Sequence, residues 1–457
     1  MEIVTSDPLP EPEPPDPQPP DPIDFLPPEI DPLPLDPTNN IPPLEIDTGV
    51  DELEESFSSE YEQYFGQGSD TPIKTLAQAR SILSEVEAST DVKAAFIYVS
   101  FVPASVASQS VADNKSDELE LLLVTSNGRA IRKRIAGSTR SQVIRVVRDF
   151  QSKVTSSKST NYLNSAKQLY RWIVTPLEAD LQAAGIQNLV FIMDKNLRSI
   201  PLAALHNGQE FLVEKYSISL MPSLTLTDSQ HRDMRGYQVL AMGASQFTEQ
   251  NPLPAVPLEL SVITQQLWQG KSFLNQDFTL ENLKLQRQLQ PFQIVHLATH
   301  GEFQPGAPAN SYLQLWDTKL RLNQLPQLNW NNPPVDLLVL SACRTALGNE
   351  QAELGFAGLA LQAGVKSALA SLWYVSDEGT LGLMSEFYQQ LRTAPIKAEA
   401  LRQTQIAMLR GQVRLENGQL ISTSQHIPVP EALSNLGDKQ LMHPYYWAAF
   451  TLIGNPW

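Results

Sequence analysis

VDLLVLSAC at residues 335–343 and FQIVHLAT at residues 292–299 are short, near-continuous apolar segments in the second half of the chain. Similar segments alternate there with stretches of helical periodicity, such as YQVLAMGA (237–244) followed by LELSVITQQLWQG (258–270). Apolar strands that alternate with helices are typical of a mostly parallel sheet covered by helices on both faces. The pattern therefore predicts an α/β fold.

The preceding part of the chain also alternates between predicted strands and helices. Strands are predicted at AAFIYVSF (94–101) and LVFIMD (189–194), and a helix at RSQVIRVVRDFQSKV (140–154). We identify no nucleophile–base pair in this part. The folded chain is therefore divided into a non-catalytic α/β half, residues 74–235, and a second domain, residues 236–457, that holds the candidate reactive groups.

An acidic, proline-rich stretch precedes these elements. Residues 1–73 hold 19 of the 50 acidic residues and no Lys or Arg, and 16 of the 35 prolines lie in residues 1–43. Proline removes backbone donors and disfavours helix at the residue before it, and the unbalanced charge opposes collapse. Residues 1–73 are therefore predicted to be a disordered tail. It is either a plain linker, or a ligand for a proline-binding module or a processed pro-segment.

The composition of the 457-residue chain excludes several classes of function. The formal net charge is −17, and residues 74–457 carry all 33 bases against 31 acids. Nucleic-acid binding depends on clustered Lys and Arg, so no nucleic-acid partner is expected. Cys343 is the single cysteine, which excludes an internal disulfide and a site built from several thiolates.

Two reactive side chains lie at the ends of two apolar strands. His300 follows FQIVHLAT, and Cys343 ends VDLLVLSAC. If these strands are neighbours, the imidazole and the thiol meet at the carboxyl edge of the sheet, where such folds place reactive groups. His300 could then act as a general base for the Cys343 thiol. The backbone N–H groups of Gly301 and Cys343 could form an oxyanion hole.

Non-catalytic interpretations of the candidate residues stay open. A lone cysteine in an apolar strand is usually an inert core residue. His296 and His300 have the spacing of metal ligands on a helix, but the segment is predicted to be a strand with no third ligand nearby. His296 is therefore interpreted as a buried, hydrogen-bonded residue, and no metal is expected. GxSxG, P-loop, GxGxxG and HExxH motifs do not occur, which leaves Cys343 and His300 as the candidate dyad.

Neither an export signal nor a membrane span is predicted. MEIVTSDPLP, residues 1–10, lacks a basic segment followed by an apolar one, which favours a cytoplasmic protein. The longest apolar stretch, residues 356–375, has Lys366 near its middle and is interpreted as a helix, a turn at Gly364 and a strand. If Met1 is not the native start, an export or adhesion region in a longer parent chain would change the compartment.

Several ordered segments resemble the CHAT domain family. They are VHLATHGEF (295–303), LVLSACRTALG (338–348), GFAGLALQAGVKSALASLWYVSDEGT (355–380) and HPYYWAAFTLIGNP (443–456), preceded by a similar N-terminal portion at residues 169–223. CHAT domains are caspase-like cysteine peptidases of the clan of caspases, metacaspases and separase, frequent in cyanobacteria and other bacteria. The resemblance extends over about 74–457.

The resemblance implies a caspase–haemoglobinase-like α/β sandwich. It also implies that His300 is the general base, that Cys343 is the nucleophile and that Gly301 contributes to the oxyanion hole. The first half would be a related pseudo-repeat without catalytic residues. The chemistry needs no cofactor, although some relatives in the clan need calcium. The tetratricopeptide arrays often fused to this family are not evident, since the sequence shows no repeat of that period.

The predicted substrate pocket involves two acidic residues. Asp377 and Glu378 lie just beyond a predicted strand, near where caspase-like folds build the pocket for the residue before the cleaved bond. A carboxylate there would favour Arg or Lys in the substrate. Alternatively, Asp377 caps the helix that starts near Gly379. Arg344 is expected either to favour the thiolate of Cys343 or to point into solvent.

Two functions of different classes follow from these observations. The first is a cysteine endopeptidase that acylates Cys343 with a protein or peptide substrate in regulated proteolysis. The second is a catalytically idle or partner-activated CHAT scaffold that serves as a protein-interaction module. The intact Cys–His pair favours the first. Within it, the acidic tail could occupy a cleft specific for basic residues and inhibit cleavage, and an activating protein partner is compatible with it.

Overall fold

The computed structural model describes residues 48–66, 68, 70–103, 115–341 and 349–457, all within one compact unit, Glu45–Trp457. The helices of these ranges are α1 (Thr48–Phe65), α2 (Leu76–Thr90), α3 (Arg140–Val154), α4 (Leu163–Ile173), α5 (Glu178–Ala183), α6 (Leu212–Lys215), α7 (Val256–Ser261), α8 (Leu280–Leu289), α9 (Glu350–Ala357), α10 (Leu359–Ala363), α11 (Asp377–Leu391), α12 (Lys397–Leu409), α13 (Glu431–Ser434) and α14 (Pro444–Trp447). The strands are β1 (Ala94–Val102), β2 (Glu118–Thr125), β3 (Ile131–Thr139), β4 (Asn188–Met193), β5 (Ser217–Leu220), β6 (Val239–Gly243), β7 (Gly270–Leu274), β8 (Ile294–Ala298), β9 (Gly301–Glu302), β10 (Tyr312–Gln314), β11 (Lys319–Arg321), β12 (Leu337–Leu340), β13 (Ser367–Ser371), β14 (Arg414–Glu416), β15 (Gln419–Ile421), β16 (His426–Pro428), β17 (Lys439–Gln440) and β18 (Phe450–Gly454).

A central sheet of eleven strands runs through both predicted halves of the chain. Its order is β3-β2-β1-β4-β5-β18-β13-β12-β8-β6-β7. Strands β1, β4, β5 and β18 are mutually parallel, as are β13, β12, β8, β6 and β7, and the two groups meet at the antiparallel pair β13–β18. The predicted mostly parallel sheet flanked by helices is confirmed. The division at residues 235 and 236 stays a prediction, because one sheet joins the two parts.

The middle strands of the second group are buried on both faces, as their sequences predict. Every residue of β8 and β12 is at most 1% exposed, so neither strand has a face turned to water. The face on which His296 lies is covered by α7 and α11, whose side chains contact its ring. Burial on both faces is why these strands are continuously apolar rather than alternating.

The predicted helix at 258–270 differs in its bounds and its winding. Helix α7 begins at Val256, with Pro257 in its first turn, where a missing N–H costs nothing. It continues as a π-helical stretch, Val262–Leu267, and ends before Trp268. π-helical segments are uncommon and occur mostly at functional sites. Here the stretch directly follows the turn that carries Glu259.

The prediction that residues 1–73 form a disordered tail is partly wrong, because helix α1 lies within them. The helix begins after the last proline of the run, and Val50, Phe57 and Tyr61 are all at most 4% exposed. Glu54 is fully buried between them and accepts hydrogen bonds from the protein. The many acidic residues of this segment made its buried apolar face hard to recognise in the sequence. Residues 1–47 lie outside the described part of the chain.

The apolar stretch 356–375 forms the predicted helix, turn and strand. Helix α10 ends at Gly364, whose φ of 72° is the left-handed conformation that glycine adopts without strain, and β13 follows. None of the helices in the described ranges combines the length and the apolar character that a membrane crossing requires.

Candidate active site

The two strands that carry the candidate dyad are neighbours. Strand β8 pairs with β12 in parallel, and Leu297 lies opposite Leu340. His300 is three residues beyond Leu297, and Cys343 is three residues beyond Leu340. The parallel pairing therefore ends both strands at the same edge of the sheet and at the same level. Cys343 itself lies outside the described residues, as do Arg344 and the rest of 342–348.

Both the imidazole ring and the backbone carbonyl of His300 form hydrogen bonds with backbone groups. Its Nε2 is 2.8 Å from the carbonyl oxygen of Asn251, to which it donates a proton, and its ring centroid is 4.6 Å from that of Phe247. The backbone carbonyl of His300 accepts from the N–H of Gln314 at 2.8 Å. A neutral imidazole that carries its proton on Nε2 has Nδ1 as its basic nitrogen. This is the arrangement that a general base needs.

Gly301 begins a small sheet, β9-β10-β11, beside the imidazole. Gly301 lies opposite Leu313. The backbone hydrogen bond beside this pair joins the neighbouring residues and runs from the Gln314 N–H to the carbonyl of His300. Gly301 and Leu313 are thus a non-hydrogen-bonded antiparallel pair, in which each residue's own N–H points away from the other strand. The Gly301 N–H therefore points away from β10. Its predicted role remains untested by this pairing.

A fully buried polar network lies beneath the two strand ends. Glu259 of α7 accepts from His296 Nε2 at 2.8 Å and, through the same oxygen Oε1, from the hydroxyl of Ser341. The other ring nitrogen of His296 is 3.2 Å from the hydroxyl of Tyr388 on α11. All four side chains are at most 2% exposed. One carboxylate thus joins β8 to the residue directly after β12.

This network confirms that His296 is a buried, hydrogen-bonded strand residue. Both of its ring nitrogens are within hydrogen-bond distance of protein side chains, so the metal-ligand interpretation of His296 loses its support. Among the described residues, no group of three or more His, Cys, Asp or Glu side chains could hold a metal ion. The absence of a cofactor stays a prediction.

Asp377 and Glu378 occupy the first turn of α11. Ser376 is the N-cap and accepts from the Gly379 N–H, so the interpretation of Asp377 as the cap is wrong by one residue. Asp377 instead accepts a 2.6 Å hydrogen bond from the N–H of Ala255, just before α7. Its carboxyl is largely desolvated, which raises its pKa to about 7, and the charge of Glu259 adds to the rise.

Glu378 is a weaker candidate for the substrate pocket than Asp377. It is 4% exposed, and its Oε1 accepts from the ammonium group of Lys439. A carboxylate already paired with a lysine has little negative charge to offer to a substrate side chain. Asp377 is therefore the better predicted pocket acid, and neither assignment has been tested.

Glu353 links the helix after the Cys343 segment to the first half of the chain. It lies on α9, is 2% exposed, and accepts a hydrogen bond from the hydroxyl of Ser199. Burial raises its pKa to about 7 from an ordinary 4.5, against the opposing effects of Ser199 and Arg198. Glu353 is therefore a buried residue that joins α9 to the first half of the chain.

The raised pKa of Glu353 predicts a pH dependence of stability. Between about pH 4.5 and 7 the unfolded chain loses this proton while the folded chain keeps it, so the free energy of unfolding falls as pH rises, by about 3 kcal/mol. Glu353→Gln removes the titration and keeps an acceptor for Ser199. In urea unfolding at pH 5 and pH 8, the variant should gain stability relative to wild type at the higher pH. An unchanged difference, as expected for the exposed control Glu281→Gln, would contradict the assignment.

The sequence did not indicate Glu259, Ser341 or Tyr388. Glu259 and Tyr388 lie on helices far along the chain from the strands they contact, and acidic helical residues are normally solvated. Ser341 stands two residues before Cys343, but a serine at a strand end carries no signal of its partner. Only the buried His296, which needed partners for its ring nitrogens, pointed towards such a network.

Comparison with known protein families identifies the family of this chain. The family model of the CHAT domain matches residues 163–455, more than half of the chain, and the chain belongs to the CHAT domain family. The mostly parallel sheet covered by helices is the caspase-like α/β fold expected of that family. No curated protein matches the chain in sequence.

Among solved structures, the chain is similar to two of the separase–securin complex of Saccharomyces cerevisiae. Sequence identity is 10% in both, and the TM-scores are 0.46 and 0.47. The similarity covers 88% and 83% of this chain, and 33% and 30% of the matched chains. This chain therefore spans about a third of the length of those it matches.

Proposed function

We propose that this CHAT domain protein is a cysteine endopeptidase that uses Cys343 and His300. The observation that carries the proposal is the register of β8 and β12, which are parallel neighbours and end at the same level, three residues before His300 and Cys343 in the sequence. The hydrogen bond from His300 Nε2 to Asn251 supports it, because it leaves Nδ1 as the proton acceptor.

The proposed reaction has two stages. His300 takes the thiol proton of Cys343, and the sulfur attacks the carbonyl carbon of the substrate peptide bond. The C–N bond then breaks, His300 gives its proton to the leaving amine, and a thioester remains. In the second stage His300 takes a proton from water, the hydroxide attacks the thioester, and the carboxylic acid and the free thiol are released. The Gly301 N–H would stabilise the oxyanion in both stages.

The proposed preference is for a basic residue before the cleaved bond. Asp377 follows β13, the neighbour of β12, and its carboxylate accepts a hydrogen bond from the N–H of Ala255 just before α7. When ionised it would pair with Arg or Lys. Its pKa of about 7 implies that this preference strengthens as pH rises through neutrality, because the carboxylate fraction grows.

A peptide-library digest read by mass spectrometry tests the proposal. Wild type should cleave, whereas Cys343→Ala and His300→Ala should be at least about 100-fold slower, because loss of a general base alone costs about that much. Both variants should unfold at the wild-type urea concentration. Asp377→Asn should weaken the preference for Arg and Lys and spare cleavage after other residues.

Each other outcome has a definite meaning. Equal cleavage by all three proteins would show that a contaminant cleaves the library. If wild type does not cleave, with or without calcium, labelling with a thiol-reactive peptide probe decides between the remaining classes. Labelling of wild type but not of Cys343→Ala would indicate a latent peptidase that awaits a partner. The absence of labelling would favour the idle scaffold.

A further inference from the structure

A groove of about 800 Å³ opens beside His300. One wall is the loop 246–250, which follows β6, and the other is the hairpin β10–β11 with the turn 315–318 between its strands. Both walls contact His300. Phe247 packs against its ring, and the N–H of Gln314 binds its carbonyl. The groove is therefore continuous with the candidate active site.

The strand order fixes which side of the cleaved bond this groove would serve. Strand β8, which precedes His300 in the sequence, lies between β12, which precedes Cys343, and β6, which leads into the loop 246–250. A general acid must stand next to the leaving amine in order to protonate it. The chain that departs with this amine therefore extends past His300, towards β6 and the groove.

The groove is lined by an exposed aromatic side chain, Trp316, and by two exposed carboxylates, Glu249 and Asp317. The side chain of Trp316 is 41% exposed, although a tryptophan is usually covered, and its backbone is fixed by a 3.0 Å hydrogen bond to the carbonyl of Phe278. Glu249 on one wall and Asp317 on the other are exposed. Neither forms an ion pair with another residue in the described ranges, and the lysine of the groove, Lys319, is placed over the ring of Tyr312 at 4.2 Å.

We infer that this groove binds the leaving-group side of a peptide substrate, and that Trp316 with Glu249 and Asp317 holds an Arg or Lys side chain there. A guanidinium group stacks on an indole face and pairs with flanking carboxylates at the same time. The inference rests on the proposed peptidase function and adds a second basic subsite, separate from the one proposed at Asp377.

Digestion of a library randomised on both sides of the bond tests this subsite. Wild type should enrich Arg and Lys at one position after the bond. Trp316→Ala, and Glu249→Gln with Asp317→Asn, should each reduce that enrichment about fivefold, the effect of a partly exposed cation–π contact or ion pair. The change should appear in KM rather than kcat, and the preference before the bond should be unchanged.

Two control variants make the test specific. Trp316→Phe keeps an aromatic face and should retain most of the enrichment, whereas Glu281→Gln removes an exposed charge on α8, outside the groove, and should have no effect. Wild-type cleavage without enrichment after the bond, or enrichment that survives Trp316→Ala, would overturn the subsite and leave the peptidase proposal standing.

A binding measurement separates the two proposals if nothing is cleaved. Fluorescein-labelled extended peptides that carry either one Arg or one norleucine are titrated into wild type and Trp316→Ala, and anisotropy is recorded. The subsite predicts about fivefold tighter binding of the Arg peptide to wild type, and loss of that difference in the variant. Equal binding of both peptides to wild type would overturn the subsite. The predicted difference without cleavage would support the subsite and leave the peptidase function to be decided by the probe labelling described above.

Discussion

Glu259→Ala is expected to lower the free energy of unfolding by about 3–5 kcal/mol, the usual cost of removing one partner from a buried charged contact. The substitution leaves the ring nitrogen of His296 and the hydroxyl of Ser341 without their shared acceptor, in a region where both side chains are at most 2% exposed. Urea unfolding followed by fluorescence measures the loss. Glu281→Ala, an exposed acid on α8, should change stability by less than about 0.5 kcal/mol.

A more conservative substitution of Glu259 should impair catalysis in the molecules that stay folded. Ser341 stands two residues before Cys343, and His296 stands four before His300, so Glu259 fixes the ends of both strands relative to one another. A displacement of about 1 Å between reacting groups can cost about 100-fold in rate. We therefore expect Glu259→Gln, which keeps the shape of the side chain, to lower kcat with little change in KM. A purely structural role would lower the folded fraction and leave the kcat of the folded fraction intact.

Replacing Glu259 and His296 together shows whether their hydrogen bond or only the volume of their side chains contributes to stability. Glu259→Leu with His296→Leu removes a buried polar pair together and leaves the Ser341 hydroxyl as the remaining member. The double variant should be more stable than the sum of the single effects predicts, because neither residue then leaves the other unpaired. Additive losses would show that the two side chains contribute through volume alone.

The sequence predicted the dyad edge because β8 and β12 are continuously apolar and end at reactive residues. Such a signal is local, and the parallel pairing that turns it into a site follows from general rules of α/β sheets. The network under the dyad could not be predicted in this way. Glu259 meets Ser341 across 82 residues of chain, and nothing in either segment identifies the other.

Two further features depend on contacts between distant parts of the chain. Strand β18, at the end of the sequence, inserts between β5 and β13 and joins two groups of strands that each looked like a separate unit. Ser376, rather than Asp377, caps α11, because the carboxylate is drawn to the N–H of Ala255 on another element. Local propensity favours either residue as a cap, so only the tertiary contact decides between them.

Helix α1 shows how composition can conceal structure. Its acidic residues made the segment resemble the proline-rich stretch before it, yet one of them, Glu54, is at the centre of a buried contact. Its carboxylate accepts from the hydroxyls of Tyr98 and Ser223 and from the backbone N–H groups of Leu224 and Thr225, at 2.8–3.1 Å. A deletion of residues 1–73 would remove this helix together with the tail. A test of inhibition by the tail therefore requires the cut at residue 47.

Glu54→Ala is expected to destabilise the protein by about 3–5 kcal/mol, whereas Glu55→Ala should change stability by less than about 0.5 kcal/mol. The two positions are adjacent on α1 and lose the same charge, but Glu54 is fully buried and Glu55 is exposed. The alanine at position 54 would leave the donors of Tyr98 and of the two backbone amides after β5 without an acceptor.

Chemical unfolding of both variants, in the full chain and in a chain that begins at Thr48, measures the effect. The difference between Glu54→Ala and Glu55→Ala should be the same in both chains, because the four described hydrogen-bond donors to Glu54 lie in residues 98–225, which both chains contain. Equal stabilities of the two variants would mean that α1 does not pack on the sheet in solution. In that case the folded chain would begin near residue 72, as the acidic composition alone suggests.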